Sequence, residues 1–296
     1  MAPCRVLVTG LGGFTGRHLQ PVLEARGHEV HGIATPNEPA AERLTPVDLL
    51  DAQGLSRAVA RVRPQYVVHL AAISFVAHGD AAQIYATNIV GTRNLLEAVA
   101  ALPACPGVLL ASSANIYGNA THDPIAEDCP AQPSNDYAVS KCAMEQMAAL
   151  WAERVPLTIV RPFNYTGVGQ SENFLIPKIA AAFRRRASEL ELGNIEVERD
   201  FSDVRDVVEA YARLLERSPR GVFNICSGEA TSLRQVLSLA GELTGHMPTV
   251  KVNPAFVRAN EVKRLRGSGA RLDAAIGTWR RRGMRETMRW MLEGGA

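Results

Sequence analysis

The sequence has few of the residues that build metal sites or disulfide frameworks. Its five cysteines are odd in number and widely spaced, with no Cys-x-x-Cys pair; they are Cys4, Cys105, Cys129, Cys142 and Cys226. A disulfide scaffold is typical of short secreted chains with an even number of cysteines. We therefore predict reduced, buried thiols, no metal, and a cytoplasmic location.

Long apolar runs and an excess of one charge are also missing. No apolar run reaches the roughly 18 residues of a membrane-spanning helix, and no charged leader precedes a cleavable apolar segment. The 32 basic residues nearly balance the 30 acidic ones, so no overall field attracts nucleic acid or a membrane surface. At 296 residues the chain is long enough for one large domain or two closely joined ones.

Lysine is scarce as well, yet one of the four lysines follows a tyrosine by four residues, at Tyr137 and Lys141. Apolar residues with helical spacing come next, namely Met144, Met147, Ala148 and Trp151. A helix here places the tyrosine and the lysine on one face, one turn apart. Because a fixed ammonium stabilises a phenolate, whose parent phenol has a pKa of roughly 10, the pair predicts that Tyr137 is a proton donor.

A glycine-rich turn follows the first apolar run. Residues Arg5–Thr9 read as a strand, and Gly10-Leu-Gly-Gly13-Phe-Thr-Gly16 leads into helical spacing. Gly10 permits a tight turn, Gly13 allows backbone amides to approach a pyrophosphate, and Gly16 allows the helix to pack on the strand. A glycine turn can also serve packing alone, but its place between a strand and a helix favours nucleotide binding. The predicted cofactor contacts are Gly10, Gly13, Phe14, Thr15 and Gly16.

The second strand, Glu29–Ala34, ends without the acidic residue that binds an adenosine ribose 2′-hydroxyl in many dinucleotide sites. Ala34 and Thr35 occupy that place. A carboxylate there repels a 2′-phosphate, so its absence predicts NADP(H) as the preferred coenzyme, with NAD(H) as an alternative. Asp48 and Leu49 are expected where the next strand reaches the adenine; capping of the following helix by Asp48 is an equal alternative.

Residues 66–72 form a predicted buried strand whose small residues at its end leave room for a ribose or nicotinamide. Leu70, Ala71 and Ala72 are its predicted cofactor contacts, and His69 is predicted to be a packed core histidine. A long helix is expected from Ile84 to Leu102. Asn88, near its start, is expected to cap the helix or to brace a neighbouring loop.

Ser113 ends the next predicted strand, residues 108–113, at the edge where open α/β sheets bind ligands. A loop with three prolines (Pro124, Pro130 and Pro133) then leads to the Tyr137 helix. The strand 157–162 follows. Alternation of strands and helices predicts an α/β fold with a doubly wound parallel (Rossmann) sheet over residues 1–162, to which 203–226 return. Residues 163–202 and 227–296 are predicted to form a smaller C-terminal substrate-binding domain.

The combination of Gly10-x-x-Gly13-x-x-Gly16, Ser113, Tyr117-Gly118, Tyr137-x-x-x-Lys141 and Arg161-Pro-Phe-Asn164 resembles the extended short-chain dehydrogenase/reductase family over nearly the whole chain. Residues 199–206 and 258–279 look like its GDP-sugar branch. Within that branch, the segments 135–141, 161–170 and 224–228 look closer to the reductases than to the dehydratases.

The resemblance implies NADPH-dependent reduction of the C4 ketone of a GDP-4-keto-6-deoxyhexose to a GDP-6-deoxyhexose of the GDP-D-rhamnose type. Tyr137 would protonate the ketone oxygen, Ser113 would hydrogen-bond it, and Lys141 would hold the coenzyme ribose and bias the phenol. A dehydratase or epimerase on the same fold is the alternative. A dinucleotide sensor without catalysis is a remote third, because it has no need of these three side chains together.

Substrate contacts are expected mainly from the C-terminal half. Arg199 and Arg258 have the planar guanidinium that matches pyrophosphate oxygens, and Glu261 could accept hydrogen bonds from a ribose or base, although surface ion pairs explain each equally simply. Asn164 and Lys178 are weaker candidates near the sugar and the phosphates.

Asn115 is expected to orient the sugar. The resembled dehydratases have a glutamate at this position, and the related epimerase-reductases have a cysteine there and a histidine near Phe174. Neither Asn115 nor Phe174 can exchange a proton near neutral pH, which favours reduction alone. Apolar residues in excess of one buried face on the helices 84–102 and 137–151 predict a homodimer that pairs them as a four-helix bundle.

Overall fold

The structure, a computed structural model, describes residues 3–74, 79–254 and 264–294. A seven-stranded parallel sheet forms its centre, with the strand order β10-β6-β5-β4-β1-β2-β3. These strands are β1 Arg5–Thr9, β2 Glu29–Ala34, β3 Leu44–Pro46, β4 Tyr66–His69, β5 Gly107–Ala111, β6 Leu157–Pro162 and β10 Gly221–Ile225. The predicted α/β class and doubly wound sheet are therefore confirmed. The fourth and fifth strands leave the sheet earlier than predicted, at His69 and Ala111.

Helices cover both faces of this sheet. They are α1 Phe14–Ala25, α2 Ala52–Val62, α3 Ala81–Tyr85, α4 Thr92–Ala100, α5 Asp136–Ala149 and α7 Val204–Arg217. In β1, Val6 and Val8 pack with the core of α1 and α7, whereas Leu7 packs with the core of α2 and α4. Because side chains alternate along a strand, a run that is apolar at every position can fill two cores at once.

The order of the strands places a crevice at the carboxyl ends of β1 and β4. These strands are neighbours, but the chain winds outward from them in opposite directions, through β2 and β3 on one side and β5, β6 and β10 on the other. Connections leave on opposite faces at such a switch point, and the gap between them is where open α/β sheets bind dinucleotides.

The long helix predicted from Ile84 begins at Ala81, capped by Asp80, and contains a π-helical segment over Ala86–Gly91 before α4. Asn88 lies in this segment and braces the neighbouring loop, as predicted. Its Oδ1 accepts from the Ile73 N–H at 2.9 Å, and its Nδ2 donates to the Ile73 carbonyl at 3.2 Å and to Ser140 Oγ at 2.9 Å. The widened turn thus links a crevice loop to α5.

Asp48 does not cap the following helix. Asp51 is the N-cap of α2 and accepts a hydrogen bond from the Gly54 N–H at 2.9 Å, whereas Asp48 accepts from the Leu50 N–H at 2.9 Å. The capping alternative for Asp48 was therefore wrong. The cap lies three residues later, at Asp51, because α2 starts only at Ala52.

A smaller set of elements lies beyond β6. Its strands are β7 Asn164–Thr166, β8 Glu189–Leu192, β9 Glu198–Asp203, β11 Ala230–Ser232, β12 Thr249–Val252 and β13 Arg264–Leu265. Its helices are α6 Leu175–Arg184, α8 Leu233–Thr244 and α10 Met284–Leu292, which share a core of their own with β8. Helix α9, Ala270–Ile276, packs instead with α7 in the core of the large sheet. The division into two functional domains at the predicted boundaries remains a proposal.

All five cysteines are free; Cys129 and Cys226 are buried, but Cys105 is exposed, so the prediction of burial was wrong there. Within the described ranges, no helix combines the length and the apolar character needed to cross a membrane. The same residues include no group of three or more His, Cys, Asp or Glu side chains that could hold a metal ion.

Candidate active site

Ser113, Tyr137 and Lys141 meet at the carboxyl end of β5. Asn135 caps α5 by accepting the Ala138 N–H at 2.9 Å, which sets Tyr137 in the first turn and Lys141 one turn later. Ser113 ends the extended segment after β5, and its Oγ accepts the Asn115 N–H at 3.1 Å. The Ser113 and Tyr137 side chains are hydrogen-bonded, and all three side chains are buried.

Tyr137 is a buried phenol at the start of α5. Removal from water raises the pKa of Tyr137 well above that of a free phenol, and the hydrogen bond with Ser113 opposes this shift without cancelling it. The Lys141 ammonium donates to the Ala111 carbonyl at 2.8 Å. Stabilisation of the phenolate by this ammonium stays a prediction. The phenol is neutral at pH 7, which is the form that can donate a proton.

Lys141 is itself perturbed. Burial lowers the pKa of the Lys141 ammonium to about 8, and the nearby Glu145 carboxylate limits the shift by favouring the charged form. Glu145 follows one turn later on α5 and forms a buried pair with Arg161 of β6, with the Arg161 Nη2 and Glu145 Oε2 atoms 2.6 Å apart. Arg161 also donates to the Tyr117 hydroxyl at 2.9 Å.

The arginine pair belongs to a network that connects four elements. The Tyr117 hydroxyl donates to Asn224 Oδ1 at 2.7 Å, and the Asn224 N–H donates to Glu127 Oε1 at 2.8 Å. Arg161 donates to the Glu127 carbonyl at 2.9 Å. These bonds tie α5, the short helix after Ser113, β6 and β10 together beneath the catalytic candidates, so the position of each depends on the others.

The glycine turn has the shape that a dinucleotide needs. Gly10 has a φ of +73°, and a Cβ there would lie 3.0 Å from the backbone of Ala71. A Cβ on Gly13 would lie 3.1 Å from the Gly10 carbonyl oxygen, and one on Gly16 would overlap the Leu11 carbonyl. Gly13 precedes α1 without a side-chain cap, so the first amides of this helix face the crevice. These residues fit a bound pyrophosphate.

The predicted cofactor contacts that follow β4 lie next to the glycine turn. The Leu70 N–H donates to the Thr9 carbonyl at 3.1 Å, the Ala71 N–H donates to Thr9 Oγ1 at 3.2 Å, and Ala72 follows, half-buried. On the far side of β2, Leu49 is buried in the core, and Asp48 is exposed, two residues after the end of β3. The structure thus brings together the turn, Leu70 and Ala71, and places Asp48 at the outer edge of the crevice.

His69 is a core histidine, as predicted, with a defined tautomer. Thr92 Oγ1 donates to the Asn88 carbonyl at 2.7 Å, so it must accept from His69 Nε2, which lies 2.9 Å away. His69 Nδ1 then accepts from Thr9 Oγ1 at 2.6 Å. Burial, with the Lys141 ammonium adding to it, lowers the pKa of His69 to about 3, so the ring is neutral at pH 7. It holds the end of β1 against α4.

The predicted substrate residues that the structure describes lie on four different elements. Asn115 is exposed in the short helix that follows Ser113, Asn164 begins β7, and Arg199 lies in β9, the strand that pairs with β7. Lys178 lies half-buried in α6, and Phe174 is the residue before that helix. Arg258 and Glu261 lie outside the described residues.

Comparisons with known proteins place this geometry in a family. Residues 6–226 match the profile described as the NAD dependent epimerase/dehydratase family. The chain belongs to this family. The resemblance to extended short-chain dehydrogenases/reductases is thereby confirmed.

Two characterised members of the epimerase/dehydratase family are similar over most of their length. GDP-6-deoxy-D-talose 4-dehydrogenase of Aggregatibacter actinomycetemcomitans is 34% identical over 92% of this chain and 91% of its own. GDP-6-deoxy-D-mannose reductase of Pseudomonas aeruginosa is 36% identical, with the same coverage of 92% and 91%. The two names specify opposite configurations at C4 of the sugar.

Solved structures of the family agree. A putative epimerase from Burkholderia cenocepacia J2315 is 50% identical, with a TM-score of 0.93 over 98% of this chain and 97% of its own. RMD from Pseudomonas aeruginosa in complex with NADPH is 34% identical, with a TM-score of 0.86 over 99% and 97%. UDP-glucose 4-epimerase from Thermus thermophilus in complex with NAD is 30% identical, with a TM-score of 0.85 over 98% and 98%. Both coenzymes therefore occur among these family members.

Sequence reasoning missed Tyr165 and Glu145. The Tyr165 hydroxyl lies 2.7 Å from Thr15 Oγ1, and its ring stacks on Phe14 with centroids 6.0 Å apart. Tyr165 follows Asn164 in β7 and so joins the predicted substrate side to the glycine turn. Its only signal in the sequence is its place directly after the Arg161-Pro-Phe-Asn164 motif. Glu145 gave a clearer signal, since it continues the spacing of four from Tyr137 and Lys141.

Proposed function

We propose that this protein reduces the C4 ketone of a GDP-4-keto-6-deoxyhexose to the corresponding GDP-6-deoxyhexose, with NADPH as the preferred electron donor. The observation that carries the proposal is the buried Ser113–Tyr137–Lys141 group beside a glycine turn shaped for a dinucleotide. The two characterised relatives, both named for GDP-6-deoxyhexoses, support it.

The chain's own residues supply the proton and hold the ketone. When bound, the reduced dinucleotide supplies the hydride. Ser113 Oγ accepts from the Asn115 N–H at 3.1 Å, and its own hydroxyl is proposed to donate to the ketone oxygen. Tyr137, a neutral phenol at pH 7, gives its proton to that oxygen as negative charge develops. Lys141 carries the positive charge that offsets the resulting phenolate.

Of the residues that the structure describes, Asn115 and Phe174 occupy the positions where the resembled dehydratases and epimerase-reductases carry a proton-exchanging side chain. Removal of a proton from C5 or C3 needs a side chain that can accept it near neutral pH, and Asn115 and Phe174 cannot. An amide can still orient a sugar hydroxyl. The arrangement therefore supports ketone reduction and argues against dehydration and against epimerisation at C3 or C5.

The nucleotide half of the substrate is proposed to lie along β7, β9 and α6. Asn164 and Arg199 lie on neighbouring strands, and Arg199 is half-buried, with one nitrogen bonded to the Glu198 carbonyl at 2.9 Å. The planar guanidinium of Arg199 matches the oxygens of a pyrophosphate. Lys178 is proposed as a second phosphate contact. Guanine as the base rests on the relatives alone.

Assembly as a cytoplasmic homodimer is part of the proposal. Val90 is 47% exposed on the π-helical segment, and Val139 and Leu150 are 38% and 82% exposed on and just after α5. Pairing of these helices across a two-fold axis would cover the apolar side chains. Light scattering at micromolar concentration should give twice the 32.0 kDa chain mass. A monomer would contradict the assembly and leave the catalytic proposal intact.

An absorbance assay at the nicotinamide band tests the function. Purified protein is mixed with NADPH and GDP-4-keto-6-deoxymannose, and in parallel with the dTDP- and UDP-linked 4-keto sugars or GDP-mannose. We expect rapid oxidation of NADPH with the GDP-linked ketone only. The C3–C4 proton coupling of the product then assigns the rhamnose or the talose configuration. No oxidation with any ketone would contradict the proposal.

A further inference from the structure

A carboxylate lies at the end of β2, although the strand itself ends in Ala34. It belongs to Glu38, at the end of a turn in which the Glu38 N–H donates to the Thr35 carbonyl at 3.0 Å. Glu38 Oε1 accepts from the Thr35 hydroxyl at 3.2 Å and from the Thr35 N–H at 3.4 Å. The turn folds the side chain back toward the glycine-rich loop.

The other carboxylate oxygen contacts this loop. Glu38 Oε2 lies 2.5 Å from the position that a Cβ on Gly12 would take, so the carboxylate is in close contact with the glycine-rich loop. The loop and β2 are joined directly, since the Gly10 N–H donates to the Ile33 carbonyl at 2.9 Å. The Glu38 carboxylate therefore lies between the glycine turn and the end of β2.

This is the place where an adenosine ribose lies when a pyrophosphate sits at the N-terminus of α1. The ribose passes over the middle of the glycine turn toward the end of the second strand, where an acidic group can accept its 2′-hydroxyl. Glu38 reaches this place from four residues beyond the strand. An unmodified 2′-hydroxyl can donate to Glu38, whereas a 2′-phosphate brings a second anion against it.

We propose that Glu38 is a specificity-determining residue for the coenzyme: it supports the ribose of NADH and must turn aside for the 2′-phosphate of NADPH. The inference rests on the proposed use of a nicotinamide dinucleotide. Glu38 is half-buried, and its hydrogen bonds of 3.2 and 3.4 Å to Thr35 are long, so rotation costs little. The enzyme therefore accepts both coenzymes. Glu38 makes the ratio of kcat/KM for NADPH to kcat/KM for NADH smaller than it would be without this carboxylate.

The test compares Glu38→Gln with Glu42→Gln in the full-length protein. Glu42 is an exposed glutamate of the same loop, so its variant removes the same charge without touching the glycine turn. Calorimetry gives Kd for ADP-ribose and for 2′-phospho-ADP-ribose, which differ only in the 2′ group. Steady-state kinetics give kcat/KM for NADH and NADPH with the proposed sugar.

For Glu38→Gln we expect the preference for the 2′-phosphorylated ligand over the unphosphorylated one to rise about tenfold or more in both measurements. For Glu42→Gln we expect less than about twofold, because a distant exposed charge is screened. Equal shifts in the two variants, or no shift in Glu38→Gln, would overturn the inference. Selective binding that changes as expected without turnover of the sugar would support Glu38 while contradicting the proposed reaction.

Discussion

The groups along the carboxyl edge of the seven-stranded sheet and the groups proposed for the sugar nucleotide are assembled in different ways. Ser113, Tyr137 and Lys141 are buried, and Glu145, one turn beyond Lys141 on α5, belongs with Arg161 to a continuous hydrogen-bond network. The proposed substrate residues lie on short elements with a separate core, several of them half-buried or exposed. Changes at the first group should therefore affect chemistry and stability, and changes at the second should affect substrate binding.

The largest contrast is expected at Tyr137. Tyr137→Phe keeps the ring in its buried place and removes the proton donor, so kcat should fall by about 10²- to 10⁴-fold. Stopped-flow or steady-state oxidation of NADPH with the keto sugar measures this. Binding of the coenzyme should change little, and a loss of less than about tenfold would show that another group donates the proton.

The next contrast concerns two ion pairs. Glu145→Ala leaves Arg161 charged and buried, which should lower the free energy of unfolding by about 3–5 kcal/mol. Glu172→Ala breaks the pair with Arg185 on the surface of the smaller region, where both side chains are more than half exposed, and should cost at most about 1 kcal/mol. Urea denaturation of both variants gives the difference. Equal losses would mean that the Arg161 pair is better solvated than its burial indicates.

A smaller effect is expected at Arg199. Arg199→Ala should raise KM for the sugar nucleotide on the order of tenfold with kcat nearly unchanged, because a phosphate contact is made equally in the ground and transition states. Arg199→Lys should recover only part of it, since an ammonium cannot form the bidentate contact. A fall in kcat at unchanged KM would place Arg199 in the chemistry instead.

The smallest predicted effect is a decline of kcat/KM at high pH. The Lys141 ammonium has a pKa of about 8, so its positive charge is present below that pH and is lost as the pH rises through it. The value of kcat/KM, which reports the free enzyme, should therefore decline above about pH 8. Glu145→Gln removes the charge that favours the ammonium, so the decline of kcat/KM should begin at a lower pH. A profile that is flat to pH 10 would contradict this assignment.

The sequence predicts the large sheet well because each of its elements carries its own local signal. Strands buried on both faces read as continuous apolar runs, and the glycine turn and the Tyr137 helix appear where their patterns place them, as does the return of residues 203–226 to the sheet. The π-helical segment at Asn88 gave no such signal, since it arises from contacts with Ile73 and Ser140 that are distant in the chain.

Prediction was weaker where chemistry depends on a fold-back. The sequence shows no acid at Ala34 or Thr35, at the end of β2. In the structure, the turn after this strand places the carboxylate of Glu38 there. The spacing of Tyr137 and Lys141 places them one turn apart, but it does not show that burial raises the pKa of Tyr137 or that the ammonium bonds to Ala111. Burial and turn geometry are properties of the folded chain that residue spacing does not record.

The central claim, ketone reduction without removal of a carbon-bound proton, is tested most directly by proton NMR of the product formed in D2O. The protein is incubated with GDP-4-keto-6-deoxymannose and NADPH, and a sample without enzyme corrects for spontaneous exchange. We expect a GDP-6-deoxyhexose with protium at C3, C4 and C5. NADPH supplies the hydrogen at C4, and Asn115 and Phe174 cannot exchange a proton at C3 or C5. Enzyme-dependent deuterium at C3 or C5, or consumption of GDP-mannose without an added dehydratase, would contradict it.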